Sequence, residues 1–252
     1  MSRKIALFSS GNVGVSVAKY LLSQGDEVVA LFLAGQYPSL DKEILDVFEE
    51  THIAYVATGD ARENLEHTVD KLRELGVNTI LTVYWPFILP IELLEIAEIS
   101  VNFHPALLPL NRGWYPHVHN IIDGSPAGIT LHKLSSGADE GDIWVQKEVE
   151  SHPWDLASDL YERLQSEITK LFIEYWPQIK SGQMIAEKQR NDIKSYHSKK
   201  EIEQLDKIEL NKTYTGAEII NILRARTFGD RGFAYFESSQ GKIFIKVKLE
   251  QE

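Results

Sequence analysis

Short apolar runs alternate with amphipathic segments along the first hundred residues. The apolar runs hold few polar side chains, which is typical of parallel strands that are buried on both faces. The segments between them repeat apolar positions every three to four residues, as one face of a helix does. The pattern predicts strands at 4–8, 27–33, 53–57, 78–84 and 100–104, and helices at 13–24, 41–51, 61–76 and 91–99.

Strand–helix alternation of this kind predicts an α/β fold with a mostly parallel sheet that helices cover on both faces. In such sheets, ligands bind beyond the carboxyl ends of the strands. The stretch VNFHPALLPLNRGWYPHVHNII, residues 101–122, starts in the fifth predicted strand and turns at once into a loop rich in proline. Asn102 and His104 are two residues apart on that strand, so their side chains point to the same face near its carboxyl end.

The character of the chain changes near residue 183, where a long amphipathic helix ends at Gly182 and a polar, weakly periodic stretch begins. We place a domain boundary there, with a main domain over 1–183 and a C-terminal annex over 184–252. For this half of the chain the pattern predicts helices at 116–123, 154–182 and 215–226, strands at 127–134 and 142–150, and a β-hairpin at 231–250.

The predicted hairpin has one apolar face, with a turn at SSQG. Two strands alone cannot bury such a face. It must pack on the main domain or on a second subunit, and we expect a homodimer. The alternating apolar residues are Phe233, Tyr235, Ile243 and Ile245.

Composition narrows the class of protein. The chain has 252 residues, a formal net charge of −11 and no cysteine. Nucleic acids and anionic membranes attract clustered Lys and Arg, so we expect neither as a partner. Without cysteine there is no disulfide and no thiol chemistry. No apolar run reaches the ~18 residues of a membrane span, and the first residues lack a long apolar signal-peptide core, so we expect a cytoplasmic protein.

The glycine motif Gly11-Asn12-Val13-Gly14 follows the first predicted strand. It suggests a dinucleotide-binding site as an alternative. The motif is GNVG rather than G-x-G-x-x-G, and the second strand ends in LFLAG without a carboxylate for a ribose. A tight strand-to-helix turn explains these glycines better, so we expect no NAD.

Four histidines lie within 29 residues of one another: His104, His117, His119 and His132. They suggest a metal site as an alternative. His117 and His119 are two apart on a predicted helix, where side chains diverge, and no HExxH spacing follows. His132 lies in the middle of a predicted strand, which is typical of a structural histidine. We predict no metal site.

The residues Asn102, His104 and Asp139 form a plausible acyl-transfer group. Asp139 lies in the loop SSGADEG between two predicted strands. An amide donates to an oxyanion, an imidazole exchanges a proton, and a carboxylate orients the imidazole or takes the nucleophile's proton. With no cysteine and no G-x-S-x-G elbow, a bound substrate would attack directly. Periodicity alone favours the alternative, which is three ordinary polar loop residues.

Four motifs in order, N-F-H-P-A-L-L-P, R-G-x-x-P, G-I-T-L-H and A-D-E-G-D-I, resemble the formyltransferase family that uses 10-formyltetrahydrofolate. The family signature is N-x-H-P-S-x-L-P followed by D-x-G-x-I. Asn102, His104 and Asp139 match its catalytic residues position by position, and Ala106 stands where Ser is commoner. The resemblance implies a Rossmann-like formyltransferase domain with a small C-terminal helix and hairpin region.

The resemblance also implies a folate site and a nucleotide site. The loop TVYWPFILP, residues 82–90, would line the folate pocket, with backbone groups around Phe87 to Leu89 bonding the pterin, although a buried apolar connection is an equally good interpretation of any one side chain there. The implied folate-binding residues are Tyr84, Trp85, Phe87, Ile88, Leu89 and Asp142. The implied substrate-binding residues are Arg112, Trp114, Tyr115, Tyr196 and Arg224.

Three branches of the family are possible matches. Methionyl-tRNA formyltransferases need an RNA-attracting surface, which a chain of net charge −11 fits poorly. Glycinamide ribonucleotide formyltransferases usually end near the end of the first domain, so a match to them would not explain residues 184–252. Sugar N-formyltransferases resemble this chain in LPLNRGWYP, DIWVQKEV, SYHSKKEIEQL and ILRARTF.

We therefore expect formyl transfer to a dTDP-linked amino-dideoxysugar for surface polysaccharide such as lipopolysaccharide O-antigen. Another folate-dependent formyltransferase is the alternative, and so is a catalytically silent binding module.

Overall fold

The five apolar runs of the first hundred residues become neighbouring strands of one seven-stranded sheet in the computed structural model, which describes residues 3–51, 53–190 and 192–250. Every pairing among these five strands is parallel. The predicted α/β fold with a mostly parallel sheet is confirmed. The strands are β1 (Lys4–Ser9), β2 (Glu27–Leu33), β3 (Tyr55–Thr58), β4 (Thr79–Val83) and β5 (Ile99–His104).

The remaining predicted elements are present, together with short elements that the pattern does not predict, at 112–113, 196–197, 199–205, 227–228 and 231–232. Further strands are β6 (Arg112–Gly113), β7 (Gly128–His132), β8 (Ile143–Glu148), β9 (Tyr196–His197), β10 (Thr227–Phe228), β11 (Arg231–Gly232), β12 (Tyr235–Ser238) and β13 (Gly241–Phe244). The α-helices are α1 (Gly11–Ser23), α2 (Pro38–Val47), α3 (Leu65–Glu74), α4 (Ile91–Leu94), α5 (Pro116–Asp123), α6 (Ala157–Lys180), α7 (Lys199–Leu205) and α8 (Gly216–Ala225). The strand order of the large sheet is β3-β2-β1-β4-β5-β7-β8.

The backbone contacts divide the described chain into two units. The first takes residues in 3–104, 130–145 and 168–189, and it holds β1 to β5. The second takes residues in 105–129, 146–167 and 190–250, including α5, α7, α8 and the hairpin β12–β13.

The centre of the sheet is apolar on both faces. Ile5, Ala6, Leu7 and Phe8 of β1 are all fully buried, and the ring of Phe8 stacks on that of Phe32 with centroids 4.0 Å apart. Burial of both faces explains why these strands are continuous apolar runs rather than alternating ones.

One polar row crosses this apolar sheet. Thr82 of β4 lies opposite Asn102 of β5 in the parallel register, and Asn102 lies opposite His132 in the antiparallel pairing of β5 with β7. Residues opposite each other in a sheet point to the same face. The three side chains are therefore neighbours.

The hairpin predicted at 231–250 forms only as β12 and β13, so Phe233 and Ile245 lie outside it. Tyr235 lies opposite Phe244, and Ile243 is the next residue before Phe244. Tyr235 and Ile243 therefore point to opposite faces of the hairpin, and the predicted apolar face is wrong.

Several other predicted boundaries are wrong. The helix predicted at 91–99 ends after one turn, at Leu94, because the N–H of Glu98 binds the carbonyl of Asn78 and starts β5 instead. The helix predicted at 61–76 begins as a 3-10 turn, Ala61–Asn64, which Asp60 caps. The helix predicted at 41–51 begins earlier, at Pro38, whose fixed φ suits a first helical turn.

Among the described residues, no helix combines the length and the apolar composition that crossing a bilayer requires.

Candidate active site

The three predicted catalytic side chains meet in the first unit. The amide nitrogen Nδ2 of Asn102 is 3.2 Å from Oδ1 of Asp139. Nδ1 of His104 is 3.5 Å from the same oxygen, which is close for a charge interaction and long for a direct hydrogen bond. His104 is only 5% exposed. An amide, an imidazole and a carboxylate thus converge where β5 ends, as the sequence predicts.

The loop that carries Asp139 is fixed by close backbone approach. The N–H of Lys133 binds the carbonyl of Asp142 at 2.8 Å, which draws the two ends of the loop together. A Cβ on Gly141 would lie 1.8 Å from the carbonyl oxygen of Lys133, so no larger residue fits. The amide of Gln189 donates to the carbonyls of both Asp139 (2.8 Å) and Gly141 (2.7 Å).

Three residues predicted to bind or react have backbones in the left-handed region. Tyr84 has φ 52°, Tyr115 has φ 54° and Asp139 has φ 53°. Such values are uncommon for residues other than glycine, and they carry strain that the surrounding structure must hold.

Two side chains next to the triad were not predicted as site residues. Thr82 Oγ1 is 2.7 Å from Oδ1 of Asn102, and His132 Nε2 is 2.9 Å from its Nδ2. His132 is satisfied, as predicted for a structural histidine, but its partner is a candidate catalytic residue. A polar residue inside the apolar run NTILTVY was the available signal for Thr82.

The predicted folate loop follows β4 in the first unit. Trp85 packs edge-on against Phe8 and Phe87, with centroids 5.3 and 5.4 Å apart. Ile88 is 54% exposed, whereas Leu89 is buried in the core. The indole Nε1 of Trp85 is buried and has no hydrogen-bond partner among the described residues. A loop that holds a buried orphan donor and also exposes an apolar side chain suits a flat ligand with a polar edge.

The predicted nucleotide residues lie in the second unit, around the pairing of β6 with β9. Trp114 and Tyr115 are each 37% exposed and Tyr196 is 57% exposed. The two rings of Trp114 and Tyr115 are 5.7 Å apart, and Lys199 Nζ lies 5.5 Å from the Trp114 ring. This exposed aromatic surface next to a cation suits a nucleobase or sugar.

The two predicted arginines are buried. Arg112 is 4% exposed, and its backbone N–H donates to the carbonyl of Ser195 at 3.1 Å. The Nη1 of Arg224 donates to the carbonyls of His152 (3.0 Å) and Asp155 (3.1 Å). Burial lowers the pKa of the Arg224 guanidinium from its ordinary value. These contacts favour a structural role for Arg224, and its role in substrate binding stays a prediction.

One group of described side chains in the second unit resembles a metal centre in composition. Potential ligand atoms of His119, His197 and Glu201 lie within 4.8 Å of one another. However, the two imidazole rings are stacked 3.5 Å apart and nearly parallel, at 9°. Lone pairs lie in the ring planes, so both rings cannot point at one ion. His197 also bonds Glu201 and Asn111 at 3.0 Å each.

Comparison with known proteins identifies the family. Residues 16–175 match the family model described as formyl transferase, and the chain belongs to that family. Residues 201–251 match a model described as an N-formyltransferase dimerization C-terminal domain.

Individual relatives point in the same direction. The chain is 37% identical to the dTDP-4-amino-4,6-dideoxyglucose formyltransferase of Mycobacterium tuberculosis over 153 residues, which is 60% of this chain and 65% of that relative. A methionyl-tRNA formyltransferase of Coxiella burnetii is 25% identical over 100% of this chain and 81% of its own.

Two solved structures share the fold. A 4-N formyltransferase from Francisella tularensis superposes with a TM-score of 0.84 at 27% identity, over 99% of each chain. A formyltransferase from Anoxybacillus kamchatkensis, solved with UDP-4,6-dideoxy-4-formamido-L-AltNAc and tetrahydrofolate, gives 0.60 at 26% identity, over 88% of this chain and 98% of that one.

Proposed function

We propose that the protein is an N-formyltransferase that moves a formyl group from 10-formyltetrahydrofolate to the amino group of a dTDP-linked amino-dideoxysugar, such as dTDP-4-amino-4,6-dideoxyglucose. The observation that carries the proposal is the meeting of Asn102, His104 and Asp139 at the end of β5. The 37% identical mycobacterial relative supports this substrate class. The product would serve surface polysaccharide synthesis such as O-antigen, in the cytoplasm.

The chemistry divides among the three side chains. When bound, 10-formyltetrahydrofolate supplies the electrophilic formyl carbon, and tetrahydrofolate leaves when its carbon–nitrogen bond breaks. The carboxylate of Asp139 takes a proton from the attacking amine nitrogen as the new carbon–nitrogen bond forms. Asn102 Nδ2 donates to the formyl oxygen as that oxygen becomes negative. Protonated His104 adds positive charge and then gives its proton to the leaving nitrogen.

The geometry of the amide couples two of these events. Asn102 Nδ2 has two hydrogens, and its two acceptors are His132 Nε2 at 2.9 Å and Asp139 Oδ1 at 3.2 Å. When Asp139 takes the amine's proton, its oxygen accepts less strongly. The N–H that faced Asp139 is then released toward the formyl oxygen at the moment when negative charge develops there.

For the folate we propose the loop after β4. Tyr84, Trp85, Phe87, Ile88 and Leu89 would hold the pterin, and Asp142 would contact it from the loop that also carries Asp139. The buried, unpartnered Nε1 of Trp85 supports this assignment. Leu89 is a core side chain, so it would contribute through its backbone.

For the nucleotide we propose the surface around β6 and β9. Trp114, Tyr115 and Tyr196 would contact the base and sugar, and Arg112 would contribute positive charge toward the pyrophosphate. Arg224 would serve substrate binding indirectly, through its contacts with the carbonyls of His152 and Asp155. The exposure of the three aromatic rings supports the aromatic part of this assignment.

We also propose that the protein is a homodimer through its C-terminal region. In the second unit, Phe244 is 60% exposed, Ile243 is 44% exposed and Ile220 is 50% exposed. The match of residues 201–251 to a dimerization domain supports this use. Sedimentation of Phe244→Ser should show a shift to monomer, and an unchanged dimer would move the interface elsewhere.

One experiment tests the function directly. The protein is incubated with 10-formyltetrahydrofolate and, separately, dTDP-4-amino, dTDP-3-amino and UDP-4-amino sugars and methionyl-tRNA, and products are weighed by mass spectrometry. We expect a formyl gain on an amino sugar. A gain on methionyl-tRNA alone would assign the alternative function, and folate binding without any product would indicate a binding module.

A further inference from the structure

A row of three buried polar side chains crosses the sheet at the proposed active site. Thr82, Asn102 and His132 come from β4, β5 and β7 and lie opposite one another in register. Thr82 is 1% exposed and His132 is 2% exposed, so neither presents surface to a ligand. Their contact with Asn102 is nevertheless direct, at 2.7 Å and 2.9 Å.

The direction of every hydrogen bond in the row follows from its ends. His132 Nδ1 lies 2.7 Å from the carbonyl oxygen of Lys133, which can only accept, so Nδ1 carries a proton. The carboxylate of Asp139 can also only accept, and Nδ2 of Asn102 lies 3.2 Å from it, so the nitrogen end of the amide faces Asp139 and His132 Nε2. The oxygen end of Asn102 then faces Thr82, whose hydroxyl must be the donor.

The Thr82 hydroxyl has one hydrogen and two possible acceptors. Asn102 Oδ1 is 2.7 Å away and the carbonyl of Val101 is 3.5 Å away. The shorter contact is near the ideal distance for a hydroxyl donor, and the longer one is at the limit. The hydroxyl therefore donates to the side chain of Asn102. A threonine with a purely structural role would instead donate to the backbone carbonyl.

We propose that Thr82 is a positioning residue that orients and strengthens the oxyanion donor Asn102. The inference rests on the proposed formyl transfer. Donation into Oδ1 holds the oxygen end of the amide away from the reacting group, where it would repel the developing negative charge. Hydrogen bonds in a chain also polarise one another, so donation from Thr82 makes the N–H of Asn102 a better donor.

The test compares Thr82→Val, which keeps the branched shape and removes the donor, with Thr82→Ser, which keeps the donor. With saturating donor and amino sugar, we expect kcat of Thr82→Val to fall about tenfold, the effect of roughly one buried hydrogen bond. Thr82→Ser should stay near wild type, and both KM values should be unchanged. Thr79→Val is the matched control, because Thr79 is also buried on β4 but binds Asn78 instead.

A second measurement separates positioning from general destabilisation. In an Asn102→Ala background, Thr82→Val should cause no further loss of kcat, because the group that it positions is absent. An additional tenfold loss in that background would overturn the proposal. Wild-type kcat in Thr82→Val, or equal losses in the Val and Ser variants, would overturn it as well.

The role of Thr82 can also be tested without measuring catalytic turnover. With 15N-labelled asparagine, the Nδ2 protons of Asn102 are assigned by their loss in Asn102→Ala. We expect them to exchange with water slowly in the wild type and at least several-fold faster in Thr82→Val. Equal exchange rates would refute the role of Thr82. If no amino sugar is formylated, the proposed function is refuted. The exchange measurement still shows whether Thr82 stabilises the amide of Asn102.

Discussion

At the scale of single residues, the amide of Asn102 is held from three sides, by Thr82, His132 and Asp139. The substitution Asn102→Ala should lower kcat by about 100- to 1000-fold, which is the usual effect of losing one oxyanion donor. Steady-state kinetics with amino sugar and folate donor measures this. Asn64→Ala, an exposed asparagine in the same unit, is the control. Near-normal kcat in folded Asn102→Ala would remove the assigned role.

The chain offers a matched pair of tryptophans for testing the nucleotide surface. Trp114 is 37% exposed in the predicted nucleotide loop, and Trp154 is 38% exposed and stacked on His152 with centroids 4.7 Å apart. If Trp114 stacks on the substrate, Trp114→Ala should raise the KM for the nucleotide sugar about fivefold to tenfold, as loss of an aromatic contact does.

The KM for the folate donor should not change in that variant. Trp154→Ala should leave both KM values at the wild-type level. Equal effects of the two substitutions would mean that general loss of packing, rather than a substrate contact, explains the change.

At the scale of elements, the loop between β7 and β8 depends on Gly141 to place Asp139. Gly141→Ala would bring a Cβ to 1.8 Å from the Lys133 carbonyl, so the loop must shift. A shift of about 1 Å in a catalytic group costs on the order of 100-fold in rate, and we expect kcat to fall by about that much.

Gly216→Ala is the control for that substitution, because a Cβ at Gly216 meets nothing within 4 Å. Thermal unfolding of both variants accompanies the kinetics. Full activity in Gly141→Ala would show that the position of Asp139 is not critical.

The helices and strands also show which parts of the structure can be predicted from the sequence. The strands of the main sheet are predictable because burial on both faces leaves uninterrupted apolar runs, as in β1 and β2. The helix at 91–99 is predicted too long because its end depends on a bond between Glu98 and Asn78, which are distant in the chain. Asn102, His104 and Asp139 are predictable from motifs. Thr82 is not, because its contact with Asn102 arises only from the pairing of β4 with β5.

At the scale of the whole molecule, stability should fall in mild acid. Burial first, and then the charges of Arg226 and His119, lower the pKa of His117 to about 3. An unfolded histidine has a pKa of ~6.5. The unfolded chain therefore binds more protons below that value, and the stability conferred by a neutral His117 is present above pH 6.5 and is lost as the pH falls toward 3.

By linkage, this one residue should cost about 2 kcal/mol of unfolding free energy at pH 5. Urea unfolding at pH 7.5 and pH 5 measures the difference. In His117→Phe, which keeps a ring against Tyr161 and Phe228, the difference should shrink by that amount. His67→Phe, at an exposed site, is the control. The same pH dependence in both variants would contradict the assignment.

The left-handed backbones of Tyr84, Tyr115 and Asp139 have a consequence for laboratory evolution of this protein. Glycine adopts that conformation without strain, so each of these positions could gain stability, by up to about 1–2 kcal/mol, through a replacement that removes the side chain. A library selected only for survival at high temperature should accumulate glycine at these three positions. The most heat-resistant survivors would then be the ones that have discarded the side chains assigned here to folate, nucleotide and proton transfer.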